Sequence, residues 1–196
     1  MVSVAISRFQ QQMDNAEKLR QTQTSKNQNI EKQIYYQASL AATVAAWDSY
    51  IKAVTNEFIS KTFSRSSDSF YLIIHNSLQI QFKEKTKRLN TPSFDNARNY
   101  ILEFTGYDPI ADWGFPKLNW SHFQVKNRLE EILKVRHSFA HGFPTPPLPW
   151  TTSTTGGGPR LKLDDMKFNE LIITHLVKTT DSKLEIYLSN NFGLNF

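Results

Sequence analysis

Leu40, Val44, Trp47, Ile51, Val54 and Phe58 recur at alternating steps of four and three. That spacing places large apolar side chains on one stripe of an α-helix, so it predicts a central core helix over 37–61. Before it, Ile6, Phe9 and Met13 share one helical face and predict a first helix. The segment 21–33 then turns polar and amide-rich, with almost nothing to bury, and reads as a mobile or solvent-facing stretch. A third apolar segment, 70–82, lies between the serine-rich turn 64–69 and a basic run. Its β-branched content admits a strand, and we read it as a helix.

Thr91-Pro92-Ser93 places a capping residue before a proline at the first helical position, followed by Phe94, Ala97, Ile101 and Phe104 at helical spacing and Gly106 as the stop. Between Tyr107 and Trp120 the chain carries two prolines, Gly114 and two tryptophans, more aromatic mass than a free loop needs, so this stretch should pack on the core. The next helix is expected from about Ser121 to His141. Pro144, Pro146, Pro147, Pro149 and Pro159, with the run Gly156-Gly157-Gly158, make 143–160 a long surface loop. From Asp164 onward Phe168, Leu171, Ile172, Leu176 and Ile186 suggest a last helix, and Thr179-Thr180-Asp181 leaves open that it is split there or that a strand begins. No internal repeat is present. The expectation is an all-α fold in one domain spanning 1–196: an N-terminal helix and polar stretch in 1–33, the loop at 143–160, and a C-terminal helical segment in 161–196.

Composition narrows the function classes. A chain of 196 residues suffices for one domain with a real core and is short for two. With 39% hydrophobic and 21% charged residues it is neither disordered nor fibrous. The absence of cysteine excludes disulfides, thiolate metal sites and a cysteine nucleophile. No stretch is apolar enough for a membrane span and the first twenty residues lack a signal-peptide core, so a cytoplasmic location without export is expected. The net charge of +5 favours polyanionic partners without being diagnostic. Its densest part, Lys83 to Arg88, is read as a solvated helix end.

The informative stretch is 128–142, Arg-Leu-Glu-Glu-Ile-Leu-Lys-Val-Arg-His-Ser-Phe-Ala-His-Gly. Val125, Leu129, Ile132 and Phe139 follow a helical stripe, and Arg136 is the position that continues it between Ile132 and Phe139. A guanidinium there must find a partner or line a cleft, because burying it unpaired is costly. His137 and His141 lie four apart on neighbouring turns of one face, whereas Arg136 and His141 are separated by about 140°. One helix therefore aims both at a single phosphate only across a wide cleft or with the help of a second subunit. Gly142 should cap the helix, leaving His141 at an exposed rim.

Arg136-His137-Ser138-Phe139-Ala140-His141 matches the HEPN motif, an arginine, a polar residue, three further residues and a histidine. Ala46-Trp47-Asp48-Ser49-Tyr50 is similar to the tryptophan-acid-x-aromatic signature of the RiboL-PSP-HEPN and MAE_28990-like branches, as are 90–93 and 105–113. The resemblance spans roughly Leu40 to Gly142. It implies an up-and-down helical bundle of the HEPN type, dimerising so that two motifs face a shared cleft, and a metal-independent ribonuclease with no cofactor. On that basis Arg136 would bind phosphate and stabilise transition-state charge, His141 would act as general acid or base, and His137 would orient or relay a proton. Asp48 would orient the arginine, and Lys134 and Arg128 are candidate RNA contacts. The setting implied is a toxin or antiphage effector restrained by an antitoxin or other regulatory protein. Some HEPN toxins carry a tyrosine two residues after the histidine, where partner nucleotidyltransferases attach adenylates; here that position is Phe143, which lacks the hydroxyl.

Four other readings compete. A zinc site on His137 and His141 has legitimate spacing but no evident third ligand. The glycine run at 156–158 lacks the Lys-Ser/Thr of a phosphate loop. A non-catalytic HEPN-like module that binds RNA or protein, or a purely structural role for the polar residues through a helix cap and an ion pair with Glu130 or Asp48, would need no chemistry at all.

Overall fold

The computed structural model describes residues 3–22, 29–63, 69–152 and 158–196. Among these it forms six α-helices: α1 (Val4–Gln21), α2 (Asn29–Phe63), α3 (Ser69–Arg88), α4 (Phe94–Thr105), α5 (His122–Ala140) and α6 (Leu163–Phe192). Two short 3-10 turns, Pro109–Ala111 and Pro116–Leu118, and one isolated bridge between Phe115 and Trp120 lie between α4 and α5. The described residues contain no strand, and none of their helices is long and apolar enough to cross a membrane.

Consecutive helices alternate in direction. Phe9 meets Tyr50 and Ala16 meets Ser39, so α1 and α2 are antiparallel. Gln33 bonds to Leu161 and Tyr50 to Asp181, so α2 and α6 run the same way. The chain thus makes an all-α, up-and-down bundle with α2 along its centre. Every residue of the α2 stripe, from Leu40 to Phe58, is buried. Side chains of that size contribute about 1.5–3 kcal/mol each when withdrawn from water. Trp47 also donates its indole N–H to the Pro92 carbonyl at 3.1 Å, and Trp113 donates to Thr180 Oγ1 at 2.8 Å, so neither buried ring carries an unmet donor.

Local signals place most boundaries. Gly106 ends α4 in the left-handed conformation at φ 77°. The aromatic stretch after it packs as expected, with Trp113 and Phe115 buried. The cap of α4 differs from the sequence reading. Ser93, whose hydroxyl accepts from the Asn96 N–H, is the N-cap, and Pro92 precedes the helix instead of opening it. Segment 70–82 is helical throughout, and the basic run is the end of α3, where Lys85 pairs with Glu103 and Lys87 with Glu84.

Three expectations are corrected. The polar stretch does not reach residue 33: α2 begins at Asn29, and Gln33 exchanges two 2.8 Å hydrogen bonds with the Leu161 backbone. Residues 23–28 of that stretch, the turn at 64–68 and the segment 153–157 lie outside the described residues. The last helix is not interrupted at Thr179-Thr180-Asp181, because both Thr180 and Asp181 turn inward to buried partners, Trp113 for the first and Ser3 and Tyr50 for the second. Nor is 143–152 simply a surface loop, since Trp150 and Thr151 are buried.

Candidate active site

Val125, Leu129, Ile132, Val135 and Ser138 face the core and fix the orientation of α5. The stripe therefore passes through Val135, and Arg136 sits half-buried on its shoulder. At the N-terminus the Ser121 N–H donates to Gln124 Oε1 at 2.8 Å. At the C-terminus Phe143 N–H donates to the Ser138 carbonyl at 2.7 Å and Gly142 N–H to Phe139 at 3.2 Å, with Gly142 at φ 73°. These two bonds define a Schellman motif, with His141 as the C-cap residue.

The end of α5 carries the candidate groups. His137 and His141 are exposed, with ring centroids 4.3 Å apart and planes at 46°. At 100° per residue Lys134, also exposed, falls within about 60° of both, so the three share a face. Arg136 points away from that face. Among the described residues none of these four side chains makes a hydrogen bond or ion pair with the protein. No group of three potential metal-ligating side chains forms among the described residues.

The supporting residues are engaged differently from the expectations. Asp48 holds Lys52 on its own helix at 2.8 Å and does not pair with Arg136. Glu130 accepts from the Phe94 N–H at 3.3 Å at the start of α4. The guanidinium of Arg128 lies 4.3 Å from the Trp150 ring centre and 5.3 Å from that of Phe168, and Nε donates to Asn169 Oδ1 at 2.9 Å. Glu131 and Asp165 stand farther off, at 3.7 and 3.8 Å. Burial lowers the Arg128 pKa, opposed by those two carboxylates, and the side chain is 10% exposed. Arg128 is a packing centre with its faces covered by protein.

A sequence model of the RiboL-PSP-HEPN family matches residues 7–185. The chain belongs to the RiboL-PSP-HEPN family. No curated protein and no solved structure matches it. The family match reaches well beyond the 40–142 stretch that carried the sequence resemblance, taking in most of α1 and α6. In this HEPN bundle those outer helices are part of the same core: Ile6 and Phe9 from α1, and Ile172, Leu176 and Leu184 from α6, are buried with the α2 stripe. The anchoring of the post-α5 segment by Trp150, Phe168 and Asn169 was missed in the sequence. Its only signal was a tryptophan set among prolines, a residue whose size and N–H demand a docking place.

Proposed function

We propose that this HEPN protein is a metal-independent endoribonuclease whose site is built from Arg136, His137 and His141. The observation that carries the reading is the concentration, at the end of α5, of groups that have no hydrogen-bond or ion-pair partner among the described residues. Two adjacent imidazoles and two cations occupy one helix end, and no hydrogen bond or ion pair among the described residues accounts for any of them. RNA cleavage without metal needs such a set. The ribose 2'-hydroxyl loses a proton as its oxygen attacks the adjacent phosphorus, and the 5'-oxygen leaves with a proton supplied by a donor. The products are a 2',3'-cyclic phosphate and a 5'-hydroxyl. A histidine serves in either proton role, and an arginine grips the phosphate oxygens while charge builds on the phosphorane. We assign His141 to proton transfer, His137 to orientation or the second transfer, Arg136 to the phosphate, and Lys134 to the RNA backbone. Arg128 and Asp48 are left out, because their partners lie within the protein.

The divergence of Arg136 from the histidine face supports a site composed from two copies, each supplying its arginine to the other's histidines. The biological setting we propose is a toxin or antiphage effector held in check by a regulatory protein. The test is incubation of wild type, Arg136→Ala and His141→Ala with a mixed RNA pool in EDTA, reading the product ends. Cyclic-phosphate fragments from wild type alone support the enzyme. RNA binding without cleavage by a folded wild type would replace it with a binding module, and cleavage restored only by zinc would replace it with a metal mechanism.

A further inference from the structure

The Schellman motif that ends α5 normally packs its outermost residue against the helix residue to which that N–H bonds. Here the outermost residue is Phe143 and the helix residue is Ser138, whose hydroxyl is already spent on the Val135 carbonyl at 2.7 Å. The ring has no apolar place to go and is 62% exposed. Its backbone is nevertheless held by the 2.7 Å bond to Ser138, and Pro144 follows at once, so the ring stands out from a rigid position. It stands beside the candidate site: the Phe143 and His141 ring centroids are 6.4 Å apart, with planes at 33°. His137, His141 and Phe143 therefore form a row of three rings along the end of the helix, two able to move protons and the last purely apolar.

We infer that Phe143 is a stacking platform for an unpaired nucleobase next to the scissile phosphate. The inference rests on the ribonuclease reading above. A nucleobase offers a flat π-face of the kind an exposed aromatic ring accepts, whatever its sequence, and the gap from Phe143 to His141 is comparable to that from a base to its own phosphate. Stacking there would hold one nucleotide while the neighbouring linkage lies against the imidazoles. A duplex keeps its bases stacked on one another and has none to offer, so Phe143 selects loops and single strands.

The experiment compares wild type, Phe143→Ala, Phe143→Leu and Phe143→Tyr on a single-stranded oligonucleotide. Cleavage is followed in EDTA, and binding through quenching of 2-aminopurine in a 2'-O-methyl version that cannot react. We expect alanine and leucine to lose about tenfold or more in both readouts, together with the quenching, and tyrosine to recover most of that loss. Leucine separates stacking from mere apolar bulk. Wild type that cleaves while all three variants match it in rate and quenching would overturn the platform and leave the ribonuclease standing. Wild type that neither binds nor cleaves would overturn both.

Discussion

Trp150 lies over the guanidinium of Arg128, 4.3 Å from its carbon to the ring centre, and donates its indole N–H to Glu131 at 2.9 Å. This contact ties the segment that follows the candidate site back onto the helix that carries it. Trp150→Ala should therefore cost about 3–5 kcal/mol and leave 143–152 open to protease. Urea unfolding and limited proteolysis read the two effects. An unchanged unfolding midpoint would show that the segment is not anchored through this ring.

Among the described residues Arg136 has no hydrogen-bond or ion-pair partner to lose. Arg136→Gln should shift stability by no more than about 0.5 kcal/mol, as for an ordinary surface substitution. Arg136→Lys keeps the charge but not the two-pronged grip on phosphate, and should lower RNA cleavage by roughly 10- to 100-fold. Stability and cleavage measured on the same preparations separate the two. A destabilised glutamine variant would mean that the arginine is structural.

Gly142 is required by its backbone alone. Its φ of 73° is unfavourable for any residue with a Cβ, although such an atom would meet nothing within 4 Å. Gly142→Ala should cost about 1–2 kcal/mol from that conformation. Gly158 has equally open surroundings and no positive φ, so Gly158→Ala serves as the control. Equal unfolding midpoints for the two variants would contradict the strained cap.

Asp181 should leave a mark on stability against pH. Burial raises its carboxyl above the usual carboxylate range, against hydrogen bonds from Ser3 and Tyr50 that lower it. In the window between its unfolded and raised folded pKa the folded chain binds more protons, so unfolding free energy falls as pH rises through that window. Wild type should therefore lose stability relative to Asp181→Asn as pH rises from the ordinary carboxylate range through the raised folded pKa. Denaturant midpoints at a series of pH values check the sign. Parallel curves would exclude Asp181 as the titrating group.

The helices were legible because their signals are local. The four-three spacing from Leu40 to Phe58, the stop at Gly106 and the limits of α5 at Ser121 and His141 each depend on residues within a few positions, and the structure places them accordingly. The candidate histidines were legible for the same reason, since residues four apart on a helix must be neighbours. Polar residues misled wherever their partner was distant. Thr179-Thr180-Asp181 looked like a break, yet α6 passes through it.

By itself, then, the sequence determined the all-α class, the order of the helices and the placing of Arg136, His137 and His141 at the end of one of them. Tertiary structure decided which charged groups are occupied. Arg128 looked as available to RNA as Lys134 until Trp150 and Phe168 closed on it. Ser3 and Asp181, 178 residues apart, meet in the interior. Desolvation and pairing depend on what the folded chain brings alongside, and no short-range pattern encodes that.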